Sequence, residues 1–293
     1  MQIQLKYGEK KGIVDTHGAE LISFQDEKGK EYIWCGDAAF WAGRNPNLFP
    51  VVGNLKEGKV TIKGNTYEMG RHGFARNSEF TVVDQGEDYV ILELKDNEET
   101  LKCYPYHFSF QVIHRLEDLG FSTEYKVVNT GDEILPYCVG AHTAFNCPME
   151  DGEKFEDYIL EFDEKEDAPT QLLTAAGLFR NGDTEPMLKD GILPLDHQVY
   201  ARLDTVVFRG LRSNGVTLKH KETGKGLHME FEQFPMIAFW TKGSAKAPYI
   251  CLEPWHGCAA YENETGDILD KPHVICLKPG EEKSLKYTVT LTK

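Results

Sequence analysis

The sequence has few cations, no paired cysteine motif and no long apolar run. Its 293 residues carry 32 Lys and Arg against 47 Asp and Glu, a formal net charge of −15. That charge repels the phosphate backbone of nucleic acids and anionic membrane surfaces. No apolar run approaches the ~18 residues that a membrane span needs, and the start of the chain shows no basic segment followed by an apolar one. We therefore predict a cytoplasmic protein with neither a nucleic-acid nor a membrane partner.

Metal and cofactor motifs are also missing. The seven cysteines are scattered, odd in number and without a Cys-x-x-Cys pair, which is typical of reduced thiols that pack as small hydrophobic groups. Glu253 and His256 have the spacing of a helical metal site, but Pro254 between them argues against that helix. The segment Gly224-Lys225-Gly226 lacks the other residues of a phosphate-binding loop. We predict no metal and no cofactor.

What the sequence does contain is a series of short strand patterns separated by turns. Apolar and polar residues alternate most clearly in residues 108–116 and 121–127. Residues 97–103 predict one short helix, and the acidic run 163–167 is interpreted as a solvated loop. The pattern predicts an all-β protein, a large antiparallel sandwich with few short helices, folded as one domain over residues 1–293. Such a chain is expected to be a monomer or a homodimer.

Glu253 is the first anomaly, because it follows the apolar, strand-like residues 249–252 and precedes Pro254. Burying a lone carboxylate is costly unless it is paired, and proline cannot donate to a strand ladder, so the strand is expected to break there. Glu253 then has one of two roles. It forms a structural ion pair or lies at a solvated strand end, or it acts as a general base. In the second case Trp255 would offer an aromatic face on which a sugar could stack.

Histidine and arginine provide further candidates. Gly140 and Ala141 clear space before His142, and two glycines bracket Arg71 and His72, with Arg76 close by. For both histidines a satisfied structural role and a ligand role remain open.

Two other residues bear on the same question. Arg44, a cation within the apolar loop 40–54, is either a salt bridge or a donor to a ligand's oxygens. His114 lies on the apolar phase of its strand and is interpreted as a core or rim histidine.

Five segments together resemble the aldose 1-epimerase (galactose mutarotase-like) family, in particular its LacX-like branch. They are Gly18-Ala19-Glu20-Leu21, Leu48-Phe49-Pro50, His72-Gly73-Phe74-Ala75-Arg76, Gly140-Ala141-His142 and Cys251-Leu252-Glu253-Pro254-Trp255. The resemblance runs over residues 1–293 and implies a β-supersandwich whose concave face binds a pyranose.

The resemblance also implies roles for individual residues. Glu253 would be the general base and His142 the general acid, and the substrate contacts would come from Arg44, His72, Arg76 and, by a loose match, Asp204. Many relatives carry arginine where this chain has Asn54.

The predicted function is therefore that of an aldose 1-epimerase that interconverts the α and β anomers of a hexose by acid–base ring opening. The working form would hold an ionised Glu253 and a protonated His142 on opposite sides of the sugar ring. Alternatives are a hexose-6-phosphate 1-epimerase and a non-catalytic carbohydrate-binding protein of the same fold. Arg44, Arg71 and Arg76 favour a phosphorylated sugar, whereas the net charge of −15 opposes one. On balance a neutral aldose is favoured.

Overall fold

The computed structural model describes residues 1–292. Strands make up 48% of the chain and helices 10%, about twice the strand content of an average globular protein. The predicted all-β class is thus confirmed. No helix within residues 1–292 is long and apolar enough to cross a membrane. One domain over residues 1–293 stays a prediction.

The strands have the following bounds in chain order: β1 Gln2–Tyr7, β2 Lys10–Asp15, β3 Glu20–Gln25, β4 Asn47–Leu48, β5 Lys59–Ile62, β6 Asn65–Glu68, β7 Thr81–Gln85, β8 Tyr89–Lys95, β9 Phe108–Glu117, β10 Gly120–Asn129, β11 Leu135–Tyr137, β12 Val139–Ala141, β13 Thr143–Asn146, β14 Tyr158–Phe162, β15 Thr170–Leu173, β16 Phe179–Glu185, β17 Ile192–Pro194, β18 Thr205–Arg209, β19 Gly215–His220, β20 Gly226–Glu230, β21 Met236–Trp240, β22 Tyr249–His256, β23 Ile275–Leu277 and β24 Glu282–Thr292.

Within residues 1–292 two short α-helices interrupt the strands. The first, α1 (Glu98–Cys103), was predicted, and it begins at Asn97, whose side chain caps the backbone N–H groups of Glu99 and Thr100. The second, α2 (His197–Leu203), begins at Asp196 and was not predicted, because its surroundings show no clear apolar periodicity.

Two antiparallel sheets form the sandwich. The larger has nine strands in the order β17-β14-β19-β20-β24-β10-β9-β8-β7, and the smaller is built on β18-β21-β22-β12-β4, with β13 also pairing with β22. Their inner faces share one apolar core, in which Phe162 of the large sheet packs 6.0 Å from Phe239 of the small one. Polar contacts also cross the core, since Tyr125 Oη donates to Asn47 Oδ1 at 2.8 Å.

The small sheet is buried on both faces, which explains why β22 is a continuous apolar run rather than an alternating one. Ile250 and Leu252 point into the core shared with the large sheet. The alternate residues Cys251, Glu253 and Trp255 point to the other face, because successive side chains of a strand lie on opposite sides. That second face carries the candidate site.

Two polar residues of the core test the sequence interpretation. His114 is buried, with Nδ1 3.0 Å from Thr123 Oγ1 and Nε2 2.8 Å from the carbonyl oxygen of Ala19, so the prediction of a core histidine is confirmed. The acidic run 163–167 is not wholly solvated: Glu166 is 3% exposed. Its Oε1 accepts hydrogen bonds from the backbone N–H groups of Arg212 and Ser213, and a run of charges in the sequence does not reveal such remote donors.

Candidate active site

A cavity of about 290 Å³ opens on the outer face of the small sheet, close to the lower end of the about 300–1,000 Å³ typical of small-molecule sites. Its floor is made by side chains of three adjacent strands: Thr205 and Val207 of β18, Trp240 of β21, and Glu253 and Trp255 of β22. These side chains share a face because each alternates with a residue that points into the core.

The register of the sheet sets His142 opposite Glu253. On one side of this point Gly140 pairs with Trp255, and on the other side Thr143 pairs with Leu252. His142 Nε2 lies 3.3 Å from Glu253 Oε1.

The strand itself does not end at Pro254, because β22 continues to His256, but the predicted break in its ladder is present on one side. On the β21 side Pro254 still pairs in register with Ile237. It is only the ladder toward β12 and β13 that lapses at Glu253 and Pro254, and His142 occupies that gap.

Gly140 permits the close packing beside this gap. A Cβ added at Gly140 would lie 2.8 Å from Trp255 Cδ1 and 2.9 Å from the carbonyl oxygen of Pro254. Real Cβ atoms do not approach so closely, so glycine lets β12 approach β22 at the cavity floor.

The cavity side chains hold polar atoms that the protein itself does not satisfy. Eight buried polar side-chain atoms in the described residues lack a hydrogen-bond partner, and three of them belong to the cavity: His142 Nδ1, Glu253 Oε2 and Trp255 Nε1. Buried polar groups are normally paired, and an unmade hydrogen bond costs about 1–3 kcal/mol. His142 Nδ1 and Glu253 Oε2 are therefore free to form hydrogen bonds with a ligand.

Burial sets the protonation of the pair. It raises the pKa of Glu253 well above its usual range, although the positive charge of Arg71 opposes this. It lowers the pKa of His142 to about 3, and the charges of Arg76 and Arg71 add to the effect. Both shifts favour the uncharged forms, a protonated Glu253 and a neutral His142. The prediction of an ionised glutamate and a protonated histidine concerns the working form, and it stays a prediction.

His72 is held as a neutral hydrogen-bond donor. Its Nδ1 accepts from the backbone N–H of Gly53 at 3.0 Å, so the ring proton lies on Nε2. Burial lowers the pKa of His72 well below its usual value. The residue has φ = 66°, a strained conformation for a non-glycine residue and one that concentrates at functional sites.

The loop that contains His72 is held in place because it packs tightly against the backbone of Phe49. A Cβ at Gly73, where φ is 73°, would lie 2.2 Å from the carbonyl oxygen of Phe49. Glycine is therefore required there.

Aromatic rings enclose the pair. The centroid of the Trp41 ring lies 4.9 Å from that of His142, and Trp240 lies 5.6 Å from it. Trp255 also lines the cavity, and Trp34 supports Trp41 by donating from Nε1 to its carbonyl oxygen at 2.9 Å. Aromatic faces beside polar groups suit the apolar face and hydroxyl edge of a sugar ring.

The hairpin of β15 and β16 supplies a further wall, through Leu173, Gly177 and Phe179. Asn54 Nδ2 donates to the carbonyl oxygen of Ala176 in its turn at 3.0 Å. A Cβ at Gly177, where φ is 68°, would lie 2.4 Å from that nitrogen, so glycine is needed for the approach. Asn54 thus ties the hairpin to the cavity, at the position where the resemblance implies arginine in many relatives.

Five of the seven predicted site residues line this cavity: His72, Arg76, His142, Glu253 and Trp255. Arg44 does not. Its Nη1 donates to the carbonyl oxygen of Ile22 at 3.1 Å, so its partner is backbone rather than the salt bridge or the ligand that the sequence had left open.

Asp204 also lies outside the lining. It follows α2, and its Oδ1 accepts from Trp240 Nε1 at 3.3 Å while Oδ2 accepts from Thr205 Oγ1 at 3.0 Å. Asp204 thus holds the Trp240 ring, and its charge adds to the raised pKa of Glu253.

The sequence interpretation missed several lining residues. Trp41, Trp240 and Phe179 were interpreted as parts of a loop, a strand and an irregular segment, yet all three line the cavity. Arg71, which was considered only as a contact for a phosphorylated sugar, lines it as well. The only local signal was the concentration of aromatic residues in otherwise ordinary apolar segments.

One group of three side chains could in principle hold a metal ion. Ligand atoms of His142, Cys251 and Glu253 lie within 4.8 Å of one another. Zinc binds cysteine as the thiolate, and without a metal burial raises the pKa of the Cys251 thiol well above its usual value. The prediction of a metal-free site is retained.

Comparisons with known proteins agree with this architecture. The chain superposes on the galactose mutarotase related enzyme of Lactobacillus acidophilus with a TM-score of 0.94 and 30% identity, covering 100% of this chain and 98% of that one. A galactose mutarotase-like protein of Lactobacillus casei gives 0.91 and 29%, with full coverage of both chains. The fold is therefore that of the galactose mutarotase-like proteins, as predicted.

Sequence comparison identifies the family. The model of the aldose 1-epimerase family matches residues 1–290, and the chromosomal protein LacX of Lactococcus lactis is 36% identical over 284 residues, 94% of each chain. The chain belongs to the aldose 1-epimerase family, and the predicted resemblance is confirmed.

Proposed function

We propose that the protein is an aldose 1-epimerase that interconverts the α and β anomers of a hexose. The observation that carries the proposal is the buried pair of His142 and Glu253, 3.3 Å apart, with an unpartnered atom on each side chain in a chain of this family. Mutarotation removes a proton from the anomeric hydroxyl while another proton reaches the ring oxygen, and one carboxyl with one imidazole provides both transfers.

In the proposed mechanism Glu253 is the base and His142 is the acid. The neutral resting pair becomes the working ion pair when the proton of Glu253 moves to His142 across their 3.3 Å contact. The positive charge of Arg71 favours the ionised carboxylate. Since this transfer neither takes up nor releases a proton, the ratio of the two forms does not depend on pH, and the pair titrates as one unit.

The neighbouring groups support binding and orientation of a pyranose. His72 offers an N–H in a fixed tautomer, because Gly53 occupies its other nitrogen. Trp41 and Trp240 pack against each other and beside the reacting histidine, where they offer aromatic surface. The separation of the reacting groups from water by these rings strengthens their electrostatic interactions.

The direct test is NMR exchange or polarimetry on freshly dissolved glucose and galactose. We expect the wild-type protein to accelerate exchange between anomers. The Glu253→Gln variant keeps the shape of the side chain and removes the basic site, so it should bind sugar without accelerating exchange. Tight binding by the wild-type protein with no acceleration of any aldose would instead support the non-catalytic sugar-binding alternative.

A further inference from the structure

Two arginines of the cavity have no partner in the protein. The chain has eight arginines, of which four form ion pairs and two donate to uncharged oxygen atoms: Arg115, Arg180, Arg202 and Arg212 pair with carboxylates, and Arg44 and Arg209 donate to Ile22 and Tyr261. Within residues 1–292 only Arg71 and Arg76 have neither an ion pair nor a side-chain hydrogen bond, and both line the cavity.

The lack of a carboxylate partner for Arg71 and Arg76 is unusual in a chain this acidic. With 47 acidic residues, carboxylates are available to most cations. Arg76 is partly buried, and burial lowers its pKa, although Glu20 opposes this. Withdrawing a cation from water without a partner is unfavourable, so a ligand that pairs with Arg76 would offset this cost. Arg71 is exposed and is available to the same ligand.

The electrostatics of the empty cavity favour an anion. Glu253 is the one acidic residue among the described lining residues, and burial raises its pKa, which favours the uncharged carboxyl. His72 and His142 are neutral because their pKa values are lowered. The cavity lining therefore carries two arginines that no carboxylate pairs with directly, although the charges of Glu20 and Asp204 act on Arg76 and Glu253 from outside the lining. The local field of these two cations opposes the net charge of −15.

We infer that the sugar bound in this cavity carries an anionic oxygen group, a phosphate monoester or a carboxylate, that pairs with Arg71 and Arg76. The inference rests on the proposed function for the ring chemistry, and it replaces the neutral aldose that the net charge had favoured. Guanidinium forks match both groups bidentately, whereas a neutral sugar would leave both charges without a direct partner.

The test compares kcat/KM for anomer exchange of glucose, glucose 6-phosphate and glucuronate, each corrected for its spontaneous rate. We expect at least one anionic sugar to exceed glucose by about tenfold or more, since each tenfold step corresponds to about 1.4 kcal/mol and a charge-assisted hydrogen bond contributes about that much. A preference for the 6-phosphate or for glucuronate identifies the anionic group. Equal or greater kcat/KM for glucose would overturn the inference and leave the proposed function standing.

Substitutions of Arg71 and Arg76 test whether the preference for an anionic sugar depends on these two residues. Arg71→Gln and Arg76→Gln should each lower kcat/KM for the preferred anionic sugar about tenfold more than they lower kcat/KM for glucose. The matched control is Arg115→Gln, which breaks an ion pair with Asp88 on the large sheet and should leave the preference intact. A preference that survives in both cavity variants would overturn the assignment.

Calorimetry separates this inference from the proposed function. If no sugar is turned over, stronger binding of an anionic sugar than of glucose, lost in the double variant Arg71→Gln/Arg76→Gln, would still support the anionic ligand while the epimerase proposal failed. Equal binding of all three sugars would overturn the inference. Added salt should weaken only the binding of the anionic sugar.

Discussion

The core of the large sheet and the cavity of the small sheet each contain a buried histidine, and the two differ in one respect. Both ring nitrogens of His114 have partners. His142 has a buried Nδ1 without one, and its Nε2 faces a carboxyl. Burial lowers the pKa of both rings, to about 4 and about 3. The pKa shift therefore does not distinguish a structural histidine from a reactive one, but the count of satisfied atoms does.

Two buried glutamates repeat the contrast. Glu166 Oε1 accepts from two backbone N–H groups and from Ser213 Oγ, whereas Glu253 Oε2 has no partner. The first carboxylate holds distant segments together. The second is held by the fold and left available to a ligand.

The largest effects are expected when Glu253 and Glu166 are each replaced by glutamine in separate variants. Glu253→Gln should lower kcat by at least ~10²-fold, the usual contribution of one proton-transfer group, and change the free energy of unfolding little. Glu166→Gln should lower the free energy of unfolding by about 1–3 kcal/mol and leave kcat unchanged. Anomer exchange and urea unfolding of both variants measure these effects. Near-normal kcat in folded Glu253→Gln would return that residue to a structural role.

Substitutions of His142 and His114 should likewise differ, one affecting activity and the other stability. His142→Asn removes the proton donor and should lower kcat by ~10²-fold or more, with sugar binding retained. His114→Asn breaks hydrogen bonds in the core, so it should destabilise the fold by about 1–3 kcal/mol with kcat retained. The comparison fails if both variants lose activity in proportion to their loss of stability.

His142 and His114 should, by contrast, make similar contributions to the pH dependence of the free energy of unfolding. A histidine whose pKa is lowered in the folded state contributes stability that is present above the unfolded pKa of 6.5 and is lost as pH falls toward the folded value. Between pH 7 and pH 5 each ring should account for a loss of about 2 kcal/mol. Urea unfolding across this range should therefore show a flatter pH dependence in both asparagine variants. An unchanged slope in His142→Asn would contradict the lowered pKa of His142.

The smallest effect is expected where the cavity meets its hairpin wall. Asn54→Ala removes the hydrogen bond to Ala176, a contribution of about 1 kcal/mol, and should raise KM for the sugar about fivefold with kcat little changed. Asn65→Ala is the control, because that side chain also caps a turn but lies on the β5–β6 hairpin. Equal KM in the two variants would show that the Asn54 contact does not shape the site.

The sequence predicted more of the chemistry than of the geometry. Glu253 and His142 were anomalous in their own segments, and β-strand alternation predicted the class of fold. Their opposition depends on the pairing of β12 and β13 with β22, and register between distant strands cannot be read from either segment alone. The wall formed by β15 and β16 was not predicted, since its residues show neither alternation nor a motif. Arg44 was misjudged because its partner is a backbone carbonyl, which leaves no trace in residue type.

The placement of the tryptophans has an optical consequence. The chain has four; three line the cavity, and the fourth, Trp34, is hydrogen-bonded to one of them. Intrinsic indole fluorescence of this protein therefore originates almost entirely at the site, where it depends on the polarity around each ring and on quenching by neighbouring groups. A sugar that enters the cavity changes the surroundings of three emitters at once. The unlabelled protein thus carries its own reporter of site occupancy, with no background from tryptophans elsewhere in the fold.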